Sequence, residues 1–153
     1  MKRFPLALII FSTVLLPSIL FAETTRQILM IVREVSEDME FMIKNDVQPM
    51  LSKIKEGGYS LRIATESGKE LTVRAERLVP DLRLDDVKIA NYCGVIVPFM
   101  MVGYLKDSVP KAAVELIKQA YEADLPIAAQ NSNELLTPAG LTKAGGIFPR
   151  NCC

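Results

Sequence analysis

Short apolar runs alternate along this chain with segments of helical periodicity, and this alternation constrains the fold more than any other feature. Residues 27–32 form a nearly continuous apolar run, and residues 92–97 and 126–129 form two more. Such runs are typical of strands that are buried on both faces of a parallel sheet. Residues 59–65 predict a further strand. Helices between these strands would cover the sheet on both sides, so the sequence predicts an α/β fold with a mostly parallel sheet.

Two segments between the apolar runs have the spacing of amphipathic helices. In residues 36–55, apolar side chains recur every three or four positions, which places them on one helical face. Gly57 and Gly58 predict the end of that helix, and Pro49 should kink or divide it. Residues 108–110 open a second helix, with a proline near its first turn.

The remaining segments give weaker signals. Residues 71–75 predict a short extended piece, and the polar, proline-containing residues 78–86 predict a loop. Residues 133–143 predict a short helical or turn region around Pro138.

Residues 1–22 have the features of a secretory signal peptide. Two basic residues precede an apolar run over residues 6–21, and the small residue Ala22 stands just before a polar stretch. The run is shorter than the about 20 apolar residues that a membrane span needs. We therefore expect cleavage after Ala22, a periplasmic or extracellular protein, and no membrane contact after cleavage; an uncleaved anchor is the alternative. Residues 23–153 should then form one domain.

The composition argues against several kinds of site. The 153 residues include no histidine, so the commonest general base at neutral pH and a common zinc ligand are both missing. Lys plus Arg (18) equals Asp plus Glu (18), whereas nucleic-acid-binding domains usually have a basic patch. We therefore expect no Ser-His-Asp triad, no metal, no cofactor and no nucleic-acid partner.

The three cysteines are Cys93, Cys152 and Cys153. An odd number in an exported protein leaves at least one free thiol or one disulfide between chains. Cys93 lies beside an apolar run and is interpreted as a small buried hydrophobic residue. The adjacent pair at the end of the sequence could join two copies, which permits a homodimer.

The carboxyl ends of the predicted strands fall in three segments, residues 33–40, 98–103 and 130–134. Parallel α/β folds place their sites beyond these ends, so the three segments should converge. Residues 125–132 have the form of the strand-to-helix turn that presents a nucleophile in many enzymes. Asn131 stands in the place of the nucleophile.

In order and spacing, these segments resemble the ThiJ/PfpI family of the class I glutamine amidotransferase-like superfamily. The resemblance covers nearly all of residues 23–153 and implies a flavodoxin-like three-layer sandwich. Because the family's chain continues well beyond the strand-to-helix turn, the sheet is expected to be incomplete at its C-terminal edge. The segments that support the resemblance are residues 28–32, Glu37-Asp38-Met39-Glu40, residues 84–87, Val95-Ile96-Val97-Pro98, residues 109–121, Pro126-Ile127-Ala128-Ala129 and Ala139-Gly140-Leu141.

The resemblance implies a site that has lost its chemistry. In that family a Glu after the first strand faces a Cys in the turn, and two Gly residues supply N–H groups to an oxyanion. Matched residue by residue, the Glu is Glu40, the Cys position is Asn131, and the Gly pair falls on Phe99 and Met100. An amide cannot replace a thiolate nucleophile, and bulky side chains obstruct an oxyanion site. These four residues are interpreted as a vestigial pocket.

The expected function is therefore binding of a small molecule or a protein partner by an exported, catalytically degenerate domain. The alternative is a hydrolase or glyoxalase-like enzyme of the same family with a displaced nucleophile, for which Cys93 is the candidate. A truncated relic without a function is a third interpretation. Asn131 is interpreted as a turn residue that tolerates positive φ. Glu40 is either a solvated acid at a helix N-terminus or a pocket residue that hydrogen-bonds a ligand.

Overall fold

The computed structural model of the chain describes residues 26–35, 38–98, 109–130 and 132–141. The predicted signal peptide and the terminal cysteine pair lie outside these ranges. The elements are β1 (Gln27–Ile31), α1 (Met39–Met42), a π-helical turn (Ile43–Val47), α2 (Gln48–Glu56), β2 (Ser60–Thr65), β3 (Leu71–Val73), β4 (Glu76–Leu78), β5 (Leu82–Arg83), β6 (Gly94–Val97), α3 (Lys111–Glu122), β7 (Ile127–Ala129) and α4 (Asn133–Leu136).

Five of the strands form one sheet in the order β5-β2-β1-β6-β7, and every neighbouring pair in it is parallel. Strand β1 lies in the centre, where Leu29 is opposite Arg62 of β2 and Val95 of β6. A separate antiparallel hairpin pairs β3 with β4. The predicted α/β fold with a mostly parallel sheet is confirmed.

Helices cover both faces of this sheet. Successive residues of a strand point to opposite faces, and Leu29, Met30 and Ile31 of β1 are all fully buried. Helix α2 packs against β2, and α3 packs against β6 and β7. Their apolar residues join the strands in one core. Burial on both faces explains why the central strands are continuous apolar runs in the sequence.

Pro49 widens the first helix instead of dividing it. The N–H of Gln48 donates to the carbonyl of Ile43, five residues back, which is the π-helical pattern. Proline has no N–H to donate, and its ring clashes with the carbonyl four residues back, so an α-helical register cannot continue unchanged through this position. The side-chain amide of Asn45 supplies a further donor to the carbonyl of Phe41, at 3.0 Å. Residues 39–56 therefore form one helix with a wide turn.

The predicted loop over residues 78–86 is wrong in part. Leu78 ends β4, Leu82–Arg83 forms the edge strand β5, and Leu84–Asp86 forms a 3-10 turn. Leu78 and Leu84 are both buried in the core. Strands of two or three residues are too short to show an alternating pattern, and here polar neighbours separate the leucines that pack inward.

Helices α2 and α3 end in the same hydrogen-bonding motif. After α2, Gly58 has φ of 78°, and the N–H of Tyr59 donates to the carbonyl of Ile54, five residues back. After α3, Asp124 takes the equivalent place with φ of 55°, and Leu125 donates to Ala120. The left-handed conformation suits glycine and costs an ordinary residue about 1–2 kcal/mol. Asp124 is thus the more strained of the two caps.

Replacing Asp124 with glycine tests whether its left-handed backbone conformation is strained. Asp124→Gly should raise the free energy of unfolding by about 0.5–1 kcal/mol, because relief of the left-handed conformation outweighs the added entropy of the unfolded chain. Ala123→Gly is the matched control, since Ala123 has φ of −87°; it should lower stability by a similar amount. Urea unfolding followed by circular dichroism measures both. Destabilisation by Asp124→Gly would contradict the strain.

Candidate functional site

A small cavity lies at the carboxyl edge of the sheet, between the end of β1, the start of α3 and the residue before α4. Its volume is about 20 Å³, which is space for about one water molecule. Three of its lining residues, Arg33, Glu66 and Ser132, are polar. The described residues that form its apolar wall are Ile31, Val32, Leu84, Val109, Pro110, Ala113 and Leu135. A mainly apolar wall with a few polar groups is the usual composition of a ligand pocket.

Two of the three segments predicted to converge do meet here. Arg33 follows β1 and Ser132 follows β7, and both line the same cavity although they are far apart in the sequence. Of the second segment, residues 98–103, Pro98 is described and is fully buried. Phe99 and Met100 lie outside the described residues. The convergence of the first and third segments is confirmed.

A strand ends before position 131 and a helix begins after it, as the strand-to-helix turn predicted at residues 125–132 requires. Strand β7 ends at Ala129, and α4 begins at Asn133. Ser132, which is 6% exposed, donates its hydroxyl hydrogen to the carbonyl of Gln130 at 2.9 Å. Its own carbonyl accepts from the N–H groups of Leu135 and Leu136. Asn131 lies outside the described residues, so its interpretation as a turn residue stays a prediction.

Glu40 lies in the first turn of α1 and forms an ion pair with the β3–β4 hairpin. Its carboxylate accepts a hydrogen bond from Arg74 Nη1 at 2.7 Å, and the two side chains are 38% and 80% exposed. Glu40 is not among the described residues that line the cavity. This geometry matches the interpretation of Glu40 as a solvated acid at a helix N-terminus. A contact between Glu40 and a ligand stays a prediction.

Glu34 was not predicted as a site residue, yet it ties together the carboxyl ends of β1 and β2. Its carboxylate accepts a hydrogen bond from the backbone N–H of Ser67. Thr65, fully buried at the end of β2, accepts from the N–H of Gly68 at 3.1 Å. Burial alone would raise the pKa of Glu34, but hydrogen bonds from Ser67 and Thr65 and the charge of Lys69 lower the pKa below its ordinary value. A single acid between two strands leaves no pattern in the sequence.

Cys93 is a free, half-buried thiol at the opposite end of the sheet. Its N–H and its Sγ both donate to the carbonyl of Gln27, at 2.8 and 3.2 Å. Gln27 is the first residue of β1, whereas the cavity lies beyond the last one. Strands advance about 3.3 Å per residue, so the four residues of β6 alone place roughly 13 Å between Cys93 and the carboxyl edge.

In the described ranges, no group of three or more His, Cys, Asp or Glu side chains is arranged to hold a metal ion. Among the helices of these ranges, none combines the length and the apolarity needed to cross a bilayer.

No family model and no curated protein matches the chain. Solved structures do match. A ThiJ/PfpI domain protein from Brachyspira murdochii is similar to this chain with a TM-score of 0.65 at 11% identity, over 78% of this chain and 67% of that chain. DJ-1beta from Drosophila melanogaster is similar with a TM-score of 0.56 at 22% identity, over 76% and 61%. This chain has the fold of the ThiJ/PfpI and DJ-1 proteins.

A third solved structure agrees with this assignment. A two-domain protein from Anabaena variabilis, with a DJ-1/ThiJ/PfpI-like and a ferritin-like domain, has a TM-score of 0.60 at 16% identity. The match covers 77% of this chain but 33% of that protein, so the chain spans between one third and two thirds of these three ThiJ/PfpI-fold proteins. The predicted flavodoxin-like α/β fold is confirmed, and the resemblance to the family is confirmed at the level of the fold.

The lowered pKa of Glu34 predicts a pH-dependent stability in this ThiJ/PfpI-fold chain. When folding lowers the pKa of a carboxyl group, the ionised group stabilises the folded state at pH values above its ordinary pKa, here 4.5. This stabilisation is lost as the pH falls through the pKa of the folded state. Glu34→Gln should therefore cost about 0.5–1 kcal/mol near neutral pH, because a charge-assisted hydrogen bond is weakened at a site where solvent screens the charge. The difference from wild type should shrink steadily in acid.

Urea unfolding of both proteins between neutral pH and about pH 3 measures this difference. Glu122→Gln is the control, since Glu122 is exposed at the end of α3. Its effect should be small and should not follow the same pH trend. A Glu34→Gln difference that stays constant over the whole range would contradict a role for the ionised carboxylate.

Proposed function

We propose that this chain is an exported, non-catalytic member of the ThiJ/PfpI family that binds a small molecule in the carboxyl-edge cavity. A protein partner at the same edge is the second form of this proposal. The observation that supports it best is the combination of a ThiJ/PfpI fold with an amide, Asn131, at the position that resembles the family's nucleophile. An amide has no anion near neutral pH that could attack carbon as a thiolate does.

The position of Cys93 is a second argument against catalysis. A displaced nucleophile would have to face the same substrate as the other groups at the carboxyl edge. The thiol instead hydrogen-bonds the carbonyl of Gln27 at the amino end of β1, which is the opposite end of the sheet from the cavity. A substrate in the cavity would be out of its reach, since a reacting atom must come within about 3–3.5 Å of a nucleophile.

The cavity itself favours a small ligand with a largely apolar body. Its enclosed part is about the size of one water molecule, so a ligand must either be small or displace the wall. Arg33, Glu66 and Ser132 supply polar groups that would orient the ligand. The hydrogen bonds around Glu34 hold the neighbouring turn after β2, which keeps this rim in place.

Export supports a binding role outside the cytoplasm. The proposal rests on the leader-like residues 1–22, with cleavage after Ala22. Expression of the full chain in a bacterial host, followed by fractionation and intact mass of the mature protein, tests it. Retention of residues 1–22 in the cytoplasmic fraction would oppose it.

Loss of catalysis is tested by direct assay. Wild type and Asn131→Cys should both fail to turn over p-nitrophenyl acetate or methylglyoxal, because a thiol alone does not restore a site for the oxyanion. Mass spectrometry after each incubation should show no adduct on residue 93 or 131 beyond the background modification of exposed side chains. Turnover by wild type that disappears in Cys93→Ser would favour the enzyme alternative. Turnover by Asn131→Cys alone would contradict the predicted obstruction by Phe99 and Met100.

Ligand binding is tested by nuclear magnetic resonance. A library of small, mainly apolar fragments is titrated into ¹⁵N-labelled protein, and bound fragments should shift the amide signals of Val32, Ala113 and Leu135. Ala113→Leu fills the cavity and should abolish these shifts. Ala128→Leu is the control, since Ala128 is exposed on β7, and it should leave them unchanged. If the shifts persist in Ala113→Leu while circular dichroism shows an intact fold, the fragments bind at a site other than the cavity.

A further inference from the structure

A second concave surface lies at the amino end of the sheet, where α2 ends and β2 begins. It is an open groove of about 590 Å³. We call it the amino-end groove, and the described residues that line it are Leu51, Ser52, Lys55, Gly58, Tyr59, Ser60 and Leu61. Strand β2 runs from this groove to the carboxyl edge, where Glu66 lines the other cavity. The two sites are therefore at opposite ends of one strand.

Two cations flank this groove. Lys55 lines it directly. Arg26 lies beside Gly58, because a Cβ atom added to that glycine would come within 3.6 Å of Arg26 Nη1. The backbone of Arg26 is held by the N–H of Ser60, which donates to its carbonyl at 2.9 Å.

Neither cation is neutralised within the described part of the chain. The ion pairs found there involve other residues, and the groove lining includes no carboxylate. Lys53 differs from these two cations, because it lies on the same turn of α2 as Lys55 but forms an ion pair with Glu56 at 3.5 Å. The groove thus has an uncompensated positive charge that complements an acidic partner.

The floor of the groove is apolar and partly aromatic. Tyr59 is 43% exposed, and Leu51 and Leu61, which line the same groove, are half-buried. Gly58 has no side chain to cover this surface, because the helix-ending motif requires its positive φ. Tyr and Arg are the residue types enriched where proteins bind other proteins. The groove therefore offers a ring for packing and cations for pairing.

We propose that the amino-end groove binds an acidic protein segment, whose carboxylates pair with Lys55 and Arg26 while an apolar side chain packs on Tyr59. The balanced charge of the chain, 18 basic and 18 acidic residues, favours a peptide over a nucleic acid, which needs a longer basic surface. A single inorganic anion would leave most of the groove and the tyrosine ring unused. This interaction does not depend on the carboxyl-edge cavity.

The test uses the full chain and a defined probe. A fluorescein-labelled peptide of glutamates around a central phenylalanine should bind saturably at low ionic strength, as measured by fluorescence anisotropy, and the same peptide with lysines should not bind. Lys55→Glu and Arg26→Glu should each weaken binding by about tenfold or more, because an attractive pair becomes repulsive. Tyr59→Ser should weaken it several-fold through lost packing.

Lys53→Glu is the matched control, since it makes the same charge change on the same helical turn outside the groove. Its affinity for the acidic peptide should stay within about twofold of wild type. Circular dichroism checks that each variant is folded. If a charge-reversal variant does not fold, Lys55→Gln or Arg26→Gln takes its place. Backbone amide shifts should map the peptide to residues 58–61.

Four results would overturn this proposal. Binding of the acidic peptide could fail to saturate. Alternatively, Lys53→Glu could weaken peptide binding as strongly as Lys55→Glu does, which would indicate general charge attraction. A labelled single-stranded oligonucleotide could bind more tightly than the peptide, which would make the groove a nucleic-acid site. The shifts could map to the carboxyl-edge residues instead, which would assign the peptide to the other site.

Discussion

The central strand β1 is the element on which the rest of the structure depends. It is paired with β2 on one edge and with β6 on the other, and its residues Leu29, Met30 and Ile31 are fully buried. A strand in this position must be apolar on both faces, and helices must then cover both sides. The same strand also sets the positions of the two candidate binding sites, because one site lies at each end of the sheet.

Those two ends differ in chemical character. At the carboxyl end, a small, mainly apolar cavity is bordered by polar groups, and Glu34 holds the adjoining turn through a hydrogen bond from Ser67. At the amino end, an open groove is lined by Tyr59 and Lys55, with Arg26 beside Gly58, and the thiol of Cys93 donates to a backbone carbonyl. A cavity of this kind suits a small molecule, whereas an open charged groove suits a polypeptide. The two proposed binding sites of this domain therefore differ in the kind of ligand that each of them suits.

Sequence reasoning succeeded where burial produces a strong local pattern. The continuous apolar runs predicted the central strands, and glycine after α2 predicted the helix end through its positive φ. It failed for β4 and β5, because strands of two or three residues are too short to show a period, although Leu78 is buried. Pro49 was correctly predicted to disturb the helix, but the sequence did not specify which of the possible disturbances would occur, and the structure shows a π-helical turn.

By itself, the sequence determined the fold class, the amide at position 131, and the convergence of residues 33–40 with residues 130–134, since apolar period is a local property and parallel strands share one carboxyl edge. Only the tertiary structure decided that Glu40 pairs with Arg74, that Cys93 lies at the opposite end of the sheet from the cavity, and that Arg26 lies beside Gly58. These facts join residues that are as many as 66 positions apart. Such distances are closed only by strand pairing and core packing, which no single segment specifies.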